Sequence, residues 1–191
     1  MKVVAINSSP RIGGNTEQLI KAVFDQLKQE NISTELIQIG GQTIRGCLAC
    51  MKCWEKKDEK CVIEGDKINE LIQKLKNADC IILGSPTYFG NVSSELKAFI
   101  DRVGMTSRAN GDLFKRKLGA AVVAVRRSGA IHVFNSINHF FLIGQMIVVG
   151  SNYWNNGFGL NPGDVQNDQE GIQTMKNLGA NIVWLLKKLK N

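Results

Sequence analysis

The sequence predicts an α/β protein: five strands in one parallel sheet, helices on both faces, and a cysteine-bearing loop after the second strand. Three observations carry this. Short β-rich apolar runs alternate with longer stretches of helical period along the chain. Two of these runs, Cys80 to Leu83 and Ala120 to Val125, are almost continuously apolar, as strands buried on both faces require. The chain has 191 residues, 43% hydrophobic and 21% charged, with three prolines, which suits a single domain over residues 1–191 with a sizeable core. That composition excludes disordered, collagen-like and low-complexity architectures.

The elements follow in order. Lys2 to Ile6 reads as the first strand, followed by a Ser/Gly-rich loop and a helix whose apolar face is Leu19, Ile20, Val23, Phe24 and Leu27. Thr34 to Ile39 reads as the second strand. Residues 40–65 have no period and hold a cysteine-rich insert at about 44–64. Ile68, Leu71, Ile72 and Leu75 mark the second helix, Cys80 to Leu83 the third strand, and Leu96, Phe99, Ile100 and Val103 the third helix. Gly119 to Val125 is the fourth strand. Val133, Phe134, Ile137, Phe140 and Phe141 trace a fourth helix, and Met146 to Val149 a fifth strand. Residues 150–167, rich in Gly and Asn with two aromatics, read as irregular. Ile172, Met175, Gly179, Ile182, Val183, Leu186 and Leu189 trace the last helix. Parallel βα units connect right-handedly and bind ligands beyond the carboxyl ends of their strands.

The formal net charge is +7, but the basic residues are dispersed apart from Lys187, Lys188 and Lys190, which complement a helix C-terminus. No nucleic-acid partner is therefore expected. The longest apolar candidate, Phe140 to Gly150, is interrupted by Gln145, so no membrane span is expected. The N-terminal apolar run is too short for a signal segment. The expected location is cytoplasmic.

Two strand-end loops carry binding chemistry. Ser8 to Thr16 brings hydroxyls, Gly13, Gly14 and Arg11 to a helix N-terminus, a combination suited to one phosphate monoester. The bland alternative is a decorated turn with a capping box at Asn15 and Gln18. The loop has neither the Walker spacing nor the dinucleotide fingerprint. In Gly84 to Ser94, Tyr88 and Phe89 offer aromatic faces beside Gly90, and Ser93 or Ser94 suits a helix cap; edge-of-core packing would equally use such aromatics. Together the loops specify a phosphate at one end and a planar ring at the other.

Four of the five cysteines, Cys47, Cys50, Cys53 and Cys61, fall within fifteen residues. Three closely spaced thiols and one further on suit a cubane iron–sulfur cluster, where each thiolate takes a separate iron. Structural zinc and reduced, unligated thiols are the alternatives. Cys80 reads as a small core hydrophobe.

The stretch Gly-Ser-Pro-Thr-Tyr-Phe-Gly-Asn-Val-Ser-Ser-Glu-Leu-Lys-Ala-Phe-Ile-Asp-Arg, with the first loop, resembles the flavin mononucleotide site of flavodoxin-like reductases. With the cysteine run added, the chain resembles the iron-sulfur flavoproteins of the NADPH-dependent FMN reductase family. The resemblance implies a flavodoxin-like sheet of order 2-1-3-4-5, FMN and a [4Fe-4S] cluster as cofactors, and Cys47, Cys50, Cys53 and Cys61 as the cluster ligands. It implies phosphate contacts from Ser9, Arg11, Gly14, Asn15 and Thr16, and ring contacts from Pro86, Thr87, Tyr88, Phe89, Gly90, Asn91 and Val92. A third contribution would follow the fourth strand at Arg127, Ser128 and Gly129. The implied activity is FMN-dependent electron transfer, with no catalytic side chain because the cofactor carries the chemistry. Ferredoxin or NAD(P)H is the implied donor, and a homodimer or homotetramer the implied assembly. A cluster-free NAD(P)H-dependent FMN or quinone reductase is the main alternative; a flavodoxin-like carrier is the second.

Overall fold

The computed structural model describes residues 1–190. Its elements are β1 (Lys2–Asn7), α1 (Asn15–Gln29), β2 (Ser33–Gln38), α2 (Lys52–Lys56), α3 (Ile68–Lys76), β3 (Cys80–Pro86), α4 (Ser94–Ala109), β4 (Leu118–Val125), α5 (Ala130–Ile143), β5 (Ile147–Val148), β6 (Asn156–Phe158) and α6 (Gln169–Lys190), with a 3-10 turn at Asp164–Asn167. The sheet is parallel in the order β2-β1-β3-β4-β5, as the resemblance implied.

Alternation along the strands divides the core in two. Val4, Ile6, Ile81, Leu83, Ala121 and Val123 face α3, α4 and α5. Val3, Ala5, Cys80, Ile82, Ala120 and Val122 face α1 and α6. Cys80 is fully buried, and burial pushes its thiol far above the ordinary range, so it serves as a core hydrophobe. The basic C-terminal group is tied down locally, with Lys187 2.6 Å from Glu30 and Lys190 3.6 Å from Asp79. Among the described residues, no helix is long and apolar enough to cross a membrane.

The structure departs from the sequence reading in two places. The segment read as irregular contains a sixth strand, β6, paired in parallel with the second half of β4. Its sequence, Asn-Gly-Phe, has little β-propensity, so tertiary demand creates it. β5 pairs only with Leu118 and Gly119, leaving the buried upper edge of β4 without partners. Val123 N–H donates to Asn155 O at 2.9 Å, and Gly159 N–H to Val125 O at 2.9 Å, on either side of β6. Gly157 makes the fit possible, because a Cβ there would lie 2.7 Å from Leu19 Cδ2. Within the cysteine insert, residues 52–56 form the single-turn helix α2, too short to show a period.

Candidate functional site

An open cleft of about 250 Å3 lies beyond the carboxyl ends of β1, β3 and β4, where a parallel sheet of this order places its ligand. Its walls come from the loop after β1, from Pro86, Thr87 and Tyr88, from Ala124, Val125 and Arg126 at the end of β4, and from Gly159 and Leu160 after β6.

The first loop rests on buried polar contacts. Asn7 donates through Nδ2 to Gln38 Oε1 at 2.7 Å and accepts Ser9 N–H at 3.1 Å. Gln38 Nε2 in turn donates to Ser9 O and Gly40 O. A Cβ on Gly40 would lie 2.3 Å from the Ser9 backbone, so the glycine allows the β2 end to lie directly under the loop. Helix α1 then starts at Asn15, with Gly14 at its N-cap and no capping side chain. Its first amides are therefore available to a ligand.

Within this end of the cleft, Thr16 is 1% exposed and its Oγ1 is buried with no hydrogen-bond partner among the described residues. A buried hydroxyl at a helix N-terminus, lining a cleft and lacking an acceptor, suits a phosphate oxygen. Arg11 lines the same end, with Nη1 donating to Leu160 O at 2.7 Å and its other donors uncommitted. Glu17 faces Gly13 and Lys21: Lys21 holds its carboxyl below the usual range, and Gly13 N–H donates to it at 2.7 Å.

Asn15 also lines the cleft, and its side chain is committed to the loop after β6. Its Nδ2 donates to Asn161 O at 2.9 Å, while Oδ1 accepts Gly163 N–H at 3.0 Å and Val165 N–H at 3.3 Å. It locks the loop after β6 against α1 and so forms the wall beside Arg11. Asn15→Ala is expected to destabilise the protein by about 2–3 kcal/mol, at roughly 1 kcal/mol per lost bond. Hydrogen exchange should show the Gly163 and Val165 amides losing protection; unchanged exchange would mean the loop is held otherwise.

On the β3 wall of the cleft, Thr87 N–H and Oγ1–H both donate to Ala124 O, at 2.8 and 3.1 Å, tying β3 to β4. Tyr88 and Asn91 exchange backbone bonds of 2.9 and 3.0 Å around Phe89 and Gly90, whose φ values are 49° and 71°. Two central residues with positive φ are the signature of a type I′ turn. The turn leaves the Phe89 ring fully exposed and Tyr88 on the cleft wall.

Ser9, Arg11, Asn15, Thr16, Pro86, Thr87 and Tyr88 thus meet around one cleft, whereas Gly14, Phe89, Gly90, Asn91 and Val92 do not line it. Gly14 supports the turn, since a Cβ there would lie 2.8 Å from Arg11 O. Val92 belongs to the core beneath α4, because the type I′ turn has already reversed the chain. Asn91 Oδ1 accepts its neighbour's amide, Val92 N–H, at 2.8 Å. Arg127, Ser128 and Gly129 also lie outside the cleft walls, and Arg126 takes that position. A side chain at Gly129 would sit 3.3 Å from both Gly90 Cα and Thr87 Cγ2, so this loop backs the turn from behind. Gly159 and Leu160 reach the cleft through β6, which is not legible in the sequence.

The four clustered cysteines line a second concavity, between the insert and α4, together with Leu48, Met51, Ile63, Arg102 and Met105. Cys47 and Cys50 are exposed at its mouth; Cys53 and Cys61 are half-buried. Burial pushes the Cys53 thiol above its ordinary value. Ala49, Met51, Lys57 and Glu59 all have positive φ, which winds the insert tightly and brings Ala49 N–H to 3.4 Å from Cys47 Sγ. Among the described residues, no three His, Cys, Asp or Glu side chains are gathered as ligands to one metal ion. Four soft thiols around one apolar concavity, with an amide and a guanidinium donating to sulfur, nevertheless form a donor set that fits an iron–sulfur cluster.

The sequence model of NADPH-dependent FMN reductases matches residues 1–161. This chain belongs to that family. It is 40% identical to an iron-sulfur flavoprotein of Methanocaldococcus jannaschii, over all of both chains. It is 34% identical to an iron-sulfur flavoprotein of Methanosarcina thermophila, over 100% of this chain and 97% of the relative. Among solved structures, RosB with bound 8-demethyl-8-formylriboflavin-5'-phosphate superposes with a TM-score of 0.77 at 17% identity, covering 100% of this chain and 80% of that one. A flavodoxin from the domain Archaea gives 0.63 at 19% identity, over 98% and 99% of the two chains. These two show the shared fold. Family membership makes the protein an FMN-dependent oxidoreductase.

Proposed function

We propose that this oxidoreductase holds FMN in the cleft and a [4Fe-4S] cluster on Cys47, Cys50, Cys53 and Cys61, and moves electrons between them. The observation that carries the reading is the pair of separate concavities, one lined by Arg11, the buried Thr16 and Tyr88, the other by all four clustered cysteines. When bound, FMN supplies exchange of one or two electrons, and the cluster supplies one-electron exchange.

The protein's part is binding and electrostatics. The α1 N-terminus, the Thr16 hydroxyl and Arg11 hold the phosphate, with Ser9 bracing the loop through Arg11 N–H, which donates to its Oγ at 3.3 Å. Thr87 and Tyr88 would flank the ring, with the turn at Phe89 and Gly90 next to Tyr88 along the chain. Arg126 brings positive charge to the ring end, where reduced flavin carries negative charge. No side chain in the cleft has to act as acid or nucleophile. The electron donor is NAD(P)H or a ferredoxin-type protein.

Anaerobic purification followed by iron, sulfide, zinc and flavin assay tests the reading. Four irons and four sulfides per chain with one FMN are expected. Flavin with neither iron nor sulfide would support the cluster-free reductase instead.

A further inference from the structure

Arg102 is the largest fully buried side chain in the protein, 1% exposed, and it lies against the cysteine concavity rather than the flavin cleft. Its guanidinium is almost fully committed. Nε donates to Cys61 Sγ at 3.3 Å, Nη2 to Ile63 O at 2.9 Å, and Nη1 to Arg45 O at 3.2 Å and to the carboxylate of Asp66. Arg45 precedes the first clustered cysteine and Ile63 follows the last, so one side chain on α4 ties both ends of the insert together. Cys61 is also pinned through its backbone: its N–H donates to Asn69 Oδ1 and its carbonyl accepts Asn69 Nδ2–H, both at 2.8 Å.

A fully buried arginine is costly unless it is paired and its donors are satisfied. Asp66, buried beside it, balances the charge, and three acceptors on the insert take further donors. The sulfur is the one acceptor in this set that belongs to a redox ligand. Hydrogen bonds to cluster sulfurs and nearby charge are principal determinants of cluster potential.

We infer that Arg102, oriented by Asp66, is the positioning residue that fixes Cys61 for the cluster and sets the cluster's reduction potential. This rests on the reading of the four cysteines as cluster ligands. Reduction adds negative charge to the cluster; the guanidinium beside Cys61 favours that form, and the Asp66 carboxylate opposes it. Removing either partner therefore moves the potential in opposite directions. Damage to packing alone has no such sign.

The experiment is a redox titration of the cluster in the FMN-loaded, anaerobically reconstituted protein, followed by EPR. Arg102→Gln should make the cluster harder to reduce by about tenfold in the reduction equilibrium, a shift of about 59 mV for one electron. Asp66→Asn should shift it in the positive direction. Arg102→Lys, which keeps charge but lacks the planar fork, should lie between native and Arg102→Gln. FMN content should be native in all three. Native protein without iron and sulfide would overturn the underlying cluster reading. A native cluster whose potential is the same in every variant, or moves the same way in Arg102→Gln and Asp66→Asn, would overturn the role of Arg102 alone. Should the variants lose their cluster, native protein carrying 15N-labelled arginine decides. Pulsed EPR of the reduced cluster should then detect a coupled arginine nitrogen, and its absence would overturn the inference.

Discussion

Replacing Cys53 with Ser is expected to give a folded protein that retains FMN but carries no cluster. A hydroxyl is a hard, weakly acidic group and a poor substitute for a thiolate on cluster iron. The fold should tolerate the change, because Cys53 is only half-buried and its thiol donates only a weak 3.9 Å contact to Met105 O. The flavin cleft shares no residue with the cysteine concavity, so flavin content and reduction by dithionite should be native. Iron and sulfide should fall to background, and one-electron exchange with a ferredoxin-type donor should fall with them. Hydride transfer from NAD(P)H directly to flavin, where it occurs, should survive. Undiminished exchange with the one-electron donor after cluster loss would remove the cysteine run from the electron path.

The second large effect concerns the side of the cleft proposed to hold the phosphate. Thr16→Ala should weaken FMN binding by roughly 10- to 150-fold, since a hydrogen bond to a charged group contributes about 1.5–3 kcal/mol. Little offsetting structural loss is expected, because Thr16 Oγ1 has no partner among the described residues. Arg11→Ala should weaken FMN comparably and also release its tether to Leu160 O. Riboflavin lacks the phosphate, so it should bind the native protein much more weakly than FMN and respond little to Thr16→Ala. Calorimetric titration of the apoprotein with both flavins measures this directly. Equal native affinity for the two would refute the assignment of this end to phosphate.

Much of this was legible in the chain because the signals are local. The continuous runs Cys80 to Leu83 and Ala120 to Val125 announce doubly covered strands, and helical spacing names the buried faces of α1, α3, α4, α5 and α6. Hydroxyls, glycines and Arg11 at the start of α1 mark the loop proposed for the phosphate, since the helix N-terminus presents its amides whatever the rest of the fold does. Four cysteines in fifteen residues are the sequence feature on which the proposed cluster rests.

Other features exist only as consequences of packing. β6 forms because β5 is two residues long and leaves the edge of β4 unsatisfied, and through it Gly159 and Leu160 join the cleft. Asn15 reads as a ligand or cap in sequence, but the loop it holds lies some 150 residues away. Between the adjacent arginines after β4, one residue of register puts Arg126 rather than Arg127 on the cleft wall. Arg102 is the clearest case. In sequence it only closes the stretch that carries the resemblance, with Cys61, Arg45, Ile63 and Asp66 lying 36 to 57 residues away. The sequence determined the sheet, the chemistry of the two strand-end loops and the thiol set, because period, turn chemistry and spacing are short-range properties. The tertiary structure alone decided which polar groups are satisfied and which are left for a ligand, because a buried donor finds its acceptor through space and not along the chain.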